Sequence, residues 1–228
     1  MAAKSEDLTI IGIGSSAGGL EAIRELVATL PTDLDVSYVV VQHMSPHHKS
    51  LMTELVARQT DLEVADITDG LVPEANVIYI TPPNNDVIFE DGALHLVSPS
   101  DLPSAPKPSV DRFLVSLADD HGDKTMAMIL SGTGSDGAYG VQAIREAGGI
   151  TIAQDIDSAK YDGMPHAAVQ TGCVDLVLRP LDIGTHLQKI LSSPRDFIEF
   201  RKEAFNENPV SDLLQILLAR TRVDFRDY

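Results

Sequence analysis

Short apolar runs alternate along the chain with segments whose apolar residues recur every three or four positions. The first run, 8–13, is followed by a segment, 18–30, whose apolar side chains fall on one face of a helix. Such runs indicate buried strands, and such segments indicate amphipathic helices. We predict strands at 8–13, 37–41, 76–80, 125–130, 149–153 and 174–178, and helices at 18–30, 50–58, 110–121, 136–147, 165–170 and 183–191.

The middle of the chain departs from this alternation. Two apolar runs, 87–89 and 94–97, flank a turn that contains Gly92, which indicates a β-hairpin. Four prolines between 98 and 109 predict an irregular connection. Regular alternation of strands and helices predicts a parallel sheet. We therefore predict an α/β fold with a doubly wound, mainly parallel sheet, helices on both faces and an antiparallel edge hairpin.

The pattern changes again at Pro194. Beyond it, the segments 196–205 and 210–220 have helical spacing, and no strand is indicated. We predict a main domain at 1–193, followed by a linker and a short α-helical C-terminal extension at 194–228.

Composition narrows the class of protein. The chain has 228 residues, of which 43% are hydrophobic, so a sizeable core can form. No apolar run is long enough to cross a bilayer, and no secretory signal is visible. The lone cysteine, Cys173, excludes an internal disulfide and suits a reducing compartment, so we expect a cytoplasmic protein. A net charge of −17 argues against nucleic acid and anionic membranes as partners.

Two glycine motifs overlap at the end of the first predicted strand. Gly12-x-Gly14-x-x-Ala17 fits a dinucleotide-binding fingerprint, and Gly14-x-Ser16-x-Gly18 fits a nucleophile elbow. Both motifs place backbone N–H groups at a helix N-terminus, where negative charge is stabilised. The first motif predicts a nucleotide-binding domain, and the second predicts a serine hydrolase.

The second predicted strand separates these alternatives. A dinucleotide-binding unit would end this strand with an acidic residue for the ribose, whereas here it ends at Gln42 and His43. If the first two strands are neighbours, His43 can reach Ser16, and imidazole is the usual base for a serine nucleophile. An equally weighted alternative is a partly buried histidine without a catalytic role.

A third polar loop follows the strand at 125–130. It is rich in glycine and contains Asp136, which can orient a histidine base or, alternatively, cap the next helix. The chain order Ser–His–Asp differs from that of α/β-hydrolases, but triads are recognised by geometry rather than by order.

At these residues the chain resembles the catalytic domain of the CheB family, the chemotaxis protein-glutamate methylesterases. The resemblance covers roughly residues 8 to 192. The matching stretches are Ile13-Gly14-Ser15-Ser16-Ala17-Gly18-Gly19, Val41-Gln42-His43-Met44, Leu130-Ser131-Gly132-Thr133-Gly134-Ser135-Asp136-Gly137-Ala138 and Gly163-Met164-Pro165.

The resemblance implies an esterase with the triad Ser16, His43 and Asp136. It also implies hydrolysis of glutamate γ-methyl esters on methylated chemoreceptors, release of methanol and no cofactor; some family members also deamidate receptor glutamines. The backbone N–H groups near Ala17 and Thr133 are candidates for the oxyanion hole. The family commonly has threonine and methionine at these two positions, which a hole of backbone amides tolerates.

Further residues are candidates for the substrate cleft. Gly14 and Gly18 belong to the first loop, and Met164 lies in a stretch that we predict to be a loop beside the cleft, with ordinary packing as its alternative. His47 and His48 follow His43 closely, but this spacing is weak evidence for a metal site, and we expect none.

Two statements about the wider protein follow from resemblance. CheB proteins usually carry a receiver domain before the esterase, and Ser16 lies too near the N-terminus for one, so we expect no control by aspartyl phosphorylation within this chain. Residues 210–228 resemble the start of a CheR methyltransferase, which predicts a fused methyltransferase. A catalytically silent docking module is a further alternative to an esterase.

Overall fold

The computed structural model describes residues 8–43, 51–99 and 107–192. The chain forms two units, Met1–Thr185 and His186–Tyr228, and only 186–192 of the second are described. The predicted linker and C-terminal helices, 194–228, lie outside the described residues. Within the described ranges, no helix has both the length and the apolar character needed to cross a membrane.

Nine strands and six α-helices make up the described chain. The strands are β1 (Thr9–Ser15), β2 (Val36–Gln42), β3 (Glu63–Asp66), β4 (Val77–Ile80), β5 (Asp86–Glu90), β6 (Ala93–Val97), β7 (Thr125–Ile129), β8 (Ile150–Gln154) and β9 (Leu176–Leu178). The helices are α1 (Gly19–Val27), α2 (Met52–Ala57), α3 (Val110–His121), α4 (Ala138–Glu146), α5 (Gly163–Gln170) and α6 (Pro180–Ser192), with a 3-10 turn at Gly122–Lys124.

Seven strands form one parallel sheet in the order β3-β4-β2-β1-β7-β8-β9. The chain moves outward from β1 to β2 and later outward in the opposite direction from β7 to β8. The strand order therefore reverses between β1 and β7, and parallel sheets bind ligands outside the carboxyl ends of strands at such a point. This topology confirms the predicted doubly wound α/β class.

Two glycines in β1 allow α3 to lie directly on the sheet. A Cβ atom built on Gly12 would lie 2.5 Å from Leu114 Cδ2, and one built on Gly14 would collide with Val110. On α3, Val110, Phe113 and Leu114 are fully buried. Close contact between strand and helix thus brings the N-terminus of α3 beside the carboxyl end of β1.

The structure corrects three details of the sequence-based prediction. The hairpin β5–β6 forms, but as a separate two-stranded sheet, whereas β3 and β9 are the edges of the parallel sheet. The strand β3 was not predicted, because its four residues are exposed or half-buried and lack an apolar run. Gly163-Met164-Pro165 is the start of α5 rather than a loop, which is possible because proline is tolerated in the first turn of a helix.

Candidate active site

Ser16 is the first residue after β1 and is held by its backbone. Its N–H donates to the carbonyl of Ser131 at 3.0 Å, and its carbonyl accepts the N–H of Gly19 at 2.9 Å. Between them, Gly18 adopts φ 71°, in the left-handed region that favours glycine. This tight turn leaves the Ser16 side chain half-buried at the carboxyl edge of the sheet.

His43 occupies the matching position after β2. The two strands pair in parallel with Ser15 opposite Gln42, and the N–H of His43 donates to the carbonyl of Ser15 at 3.0 Å. Ser16 directly follows β1 and His43 directly follows β2, and these two strands are adjacent, as the hydrolase interpretation requires.

Asp136 lies in the loop between β7 and α4, and its carboxylate contacts both His43 and the N-terminus of α3. His43 Nε2 is 2.7 Å from Asp136 Oδ2. The same carboxylate accepts the backbone N–H of Val110 at 2.8 Å and that of Asp111 at 2.9 Å, the first two N–H groups of α3. Asp136 is 9% exposed. It therefore caps a helix as well as contacting the histidine, although the helix is α3 and not the α4 that follows it.

The surroundings of Asp136 favour its charged form. Burial alone would raise the pKa of this carboxyl, but the hydrogen bond from His43 and those from the N–H groups of Asp111 and Val110 outweigh it and hold the pKa below its ordinary value. An ionised carboxylate only accepts hydrogen bonds, so the Nε2 of His43 carries the proton. Nδ1 is then the nitrogen able to accept a proton, and it has no hydrogen bond within the described residues.

The carboxylate of Asp111 has the reciprocal role at the start of α4. Asp111, in the first turn of α3, accepts the N–H of Gly137 at 2.9 Å and that of Gly140 at 2.7 Å, at the start of α4. Each of these two helices is thus capped by a carboxylate from the start of the other. Burial, together with the nearby charge of Asp136, raises the pKa of Asp111 to about 6, despite the two N–H groups.

Replacement of Asp111 by asparagine tests this pKa. The folded carboxyl titrates at about 6 and the ordinary value is 3.8, so between these pH values the folded state binds the proton more tightly. The unsubstituted chain should therefore lose stability from this group as the pH rises from about 4 to about 6. Because asparagine does not titrate, Asp111→Asn should become more stable relative to the unsubstituted chain over that range. Urea unfolding at several pH values measures the difference; a constant difference would contradict the raised pKa.

The two predicted oxyanion donors lie beside Ser16. Ala17 follows it directly, and Thr133 follows Gly132, on which a built Cβ atom would be 2.9 Å from Ser16 Cβ. Neither the N–H of Ala17 nor that of Thr133 donates to another atom of the described chain. Both amides are thus available to an oxygen atom that develops negative charge.

The structure places two of the three candidate cleft residues inside the fold. Gly14 lies within β1 beneath Val110, and Met164 is 0% exposed and packs against Gly132, so both support the site from inside the fold. Gly18 is half-buried at the turn beside Ser16 and stays a candidate.

The dinucleotide alternative does not fit the structure. Its fingerprint requires glycines in a turn that faces a pyrophosphate, but Gly12 and Gly14 lie inside a strand and are covered by α3. Within the described residues, no group of three or more His, Cys, Asp or Glu side chains is arranged to hold a metal ion. His47 and His48 lie outside those residues. Cys173 is a half-buried free thiol.

Sequence reasoning missed two residues of the site. Asp111 stands in the first turn of a predicted helix, where an acidic residue is common, so nothing marked it as a partner of a distant helix. Gln42 was part of the resembling stretch but received no role; its side chain donates to the Ser16 carbonyl at 2.6 Å and accepts from Ser15. The available signal was a polar residue directly after the apolar run 39–41.

Comparison with known proteins identifies the family. The model of the CheB methylesterase family matches residues 11–187. A protein-glutamate methylesterase/protein-glutamine glutaminase of Moorella thermoacetica is 33% identical over 181 residues, which cover 78% of this chain and 43% of the relative. One from Carboxydothermus hydrogenoformans is 36% identical over 176 residues, or 74% and 51% of the two chains.

A solved structure agrees with these sequence matches. The crystal structure of the Thermotoga maritima CheB methylesterase catalytic domain has a TM-score of 0.74 and 30% identity to this chain, covering 80% of this chain and 98% of that one. The chain spans about half the length of the curated relatives it matches. The matches to the family model, to these relatives and to the solved domain show that this chain belongs to the CheB methylesterase family.

Proposed function

We propose that this chain is a serine esterase that hydrolyses glutamate γ-methyl esters on methylated chemoreceptors or related signalling proteins and releases methanol. The observation that carries the proposal is the 2.7 Å contact between His43 and the buried carboxylate of Asp136, at the strand end next to Ser16. The names of the relatives, protein-glutamate methylesterase/protein-glutamine glutaminase, support the same substrate class.

In the first half of the proposed reaction, Ser16 Oγ attacks the ester carbonyl carbon and His43 Nδ1 takes its proton. The negative charge that develops on the carbonyl oxygen is stabilised by the N–H groups of Ala17 and Thr133. His43 then gives the proton to the departing methoxide, and methanol leaves. Asp136 keeps the imidazole oriented and stabilises its protonated form.

In the second half, water replaces methanol. His43 removes a proton from the water as it attacks the acyl-serine, and returns that proton to Ser16 Oγ when the glutamate carboxylate is released. A glutamine side chain can enter the same sequence with ammonia as the leaving group, so we propose that receptor glutamines are a second substrate. No step requires a metal or an organic cofactor.

Radiolabelled methanol release from a methylated receptor tests the proposal directly. We expect the full chain to release labelled methanol from receptor that carries labelled glutamyl methyl esters, and to release none from receptor whose esters were removed by mild base beforehand. A folded chain that releases no methanol from several such receptors would contradict the proposed substrate.

We propose further that the main domain is 1–193, that residues 194–228 are a linker and the helical start of a fused CheR-type methyltransferase, and that the protein works in the cytoplasm. The fusion is supported by the resemblance of residues 210–228 to the start of a CheR methyltransferase; these residues lie outside the described ranges. The cytoplasmic location is supported by the lone cysteine, which suits a reducing compartment. Sequencing the full transcript tests the fusion: a methyltransferase domain downstream of Tyr228 is expected, and its absence would contradict the idea.

A further inference from the structure

The side chain of Gln42 connects the two loops that carry Ser16 and His43. Its Nε2 donates to the carbonyl of Ser16 at 2.6 Å and to the carbonyl of His43 at 3.1 Å, and its Oε1 accepts the hydroxyl of Ser15 at 2.5 Å. Gln42 is 9% exposed. Every polar atom of this nearly buried amide is thus in use.

The orientation of the amide follows from its partners. The carbonyl oxygens of Ser16 and His43 can only accept hydrogen bonds, so both require the NH₂ group. The remaining partner, the Ser15 hydroxyl, can donate and therefore faces Oε1. A carboxylate of the same shape at position 42 would place an oxygen against two carbonyl oxygens.

The start of α1 closes around this amide. A Cβ atom built on Gly19 would collide with Gln42 Oε1 and would lie 2.7 Å from Ser15 Cβ. Only glycine fits at position 19 while the amide keeps its place. The Gln42 side chain is therefore fixed by contact as well as by hydrogen bonds.

In the ranges that the structure describes, backbone hydrogen bonds do not join the loop that carries Ser16 to the loop that carries His43 beyond the ends of β1 and β2. The last ladder bond runs from the N–H of His43 to the carbonyl of Ser15. Within the described residues, no further backbone bond joins the two loops, and Ser16 turns away toward Ser131. The bonds from Gln42 are what continue the connection to Ser16.

We propose that Gln42 is a positioning residue that holds the nucleophile and its base in register by bridging the carbonyls of Ser16 and His43. The proposal rests on the proposed esterase function. Since a displacement of about 1 Å at reacting atoms can cost about 100-fold in rate, loss of the bridge should act on the chemical step rather than on substrate binding.

The test compares Gln42→Glu, Gln42→Met and Gln59→Glu. The first keeps the shape but turns the donor into an acceptor, and the second removes both polar groups without adding repulsion. Gln59 offers a matched control, because its Nε2 donates only to the neighbouring Arg58 carbonyl, at 3.3 Å, outside the site.

We expect Gln42→Glu to lower kcat for methanol release about 100-fold and Gln42→Met about tenfold, with KM within about twofold of the unsubstituted value. Gln59→Glu should leave both unchanged. All rates are expressed per folded molecule, with the folded fraction measured by circular dichroism. Equal kcat in Gln42→Met and the unsubstituted chain would overturn the proposal, as would a rise in KM without a fall in kcat.

A second readout separates this proposal from the function on which it rests. The rate at which a fluorophosphonate labels Ser16 depends on the serine and histidine but not on the receptor. We expect Gln59→Glu to be labelled at the unsubstituted rate, Gln42→Met more slowly and Gln42→Glu most slowly. Labelling that is unaffected by both Gln42 variants would overturn the positioning role alone. Labelling that responds as expected in a chain that releases no methanol would instead contradict the methyl-ester substrate.

Discussion

Ser16→Ala is expected to lower methanol release by a factor on the order of 10⁴ or more, with the fold unchanged. The substitution removes the hydroxyl that would form the acyl-enzyme. The contacts that shape the loop remain, because Ser16 makes its bonds to Ser131, Gly19 and Gln42 through its backbone. Its free energy of unfolding should therefore change by less than about 0.5 kcal/mol, as for most substitutions away from core contacts.

Labelled methanol release and urea unfolding measure the two expected effects. Ser98→Ala is the matched control, because this exposed serine contacts Arg112 through its backbone carbonyl and lies outside the proposed triad. Its activity and stability should equal those of the unsubstituted chain. Retention of most activity by Ser16→Ala would exclude Ser16 as the nucleophile.

Asp136→Asn is expected to reduce both catalysis and stability. One amide cannot replace a carboxylate whose two oxygens each face N–H donors. If the asparagine NH₂ faces His43, the histidine must accept at Nε2, and the proton moves to Nδ1, where it blocks proton transfer from Ser16. If the NH₂ faces the other way, it opposes the N–H of Asp111. We expect kcat to fall by about 10⁴-fold and the free energy of unfolding to fall by about 2 kcal/mol.

Asp120→Asn is a closely matched control for this variant. The Asp120 carboxylate also accepts two backbone N–H groups, from Asp91 at 3.0 Å and Gly92 at 3.1 Å, but Asp120 is exposed near the end of α3 and contacts the hairpin turn. It should lose a little stability and no activity. Steady-state kinetics and urea unfolding of both variants provide the comparison. Normal kcat in Asp136→Asn would remove this residue from the triad.

The strand pattern was sufficient to predict where the site lies. Ser16 and His43 each follow an apolar run, and residues that end neighbouring parallel strands must meet at one edge of the sheet. That β1 and β2 are neighbours was an assumption at the sequence level, and the observed register, with Ser15 opposite Gln42, confirms it. Their catalytic roles stay predictions.

Sequence could not predict the contacts that depend on how separate elements approach one another. Asp136 contacts the N-terminus of α3 because Gly12 and Gly14 let that helix lie close to β1. The connection before α3 is rich in proline, so no local sequence pattern indicates where this helix packs. Gln42 is similar, since its partners are backbone carbonyls that no side-chain pattern marks. Local periodicity predicts elements, whereas such bonds depend on distances between them.

The mutual capping of α3 and α4 limits how this protein can be recombined with its relatives. Asp136 caps α3 and Asp111 caps α4, so each helix start depends on a carboxylate from the other, although Ser109 also caps α3 by accepting the N–H of Arg112 at 3.3 Å. A chimera that receives only one of the two segments, 109–111 or 136–140, combines a donor from one parent with an acceptor from another. The two segments therefore have to be exchanged together, although 24 residues separate them in the chain.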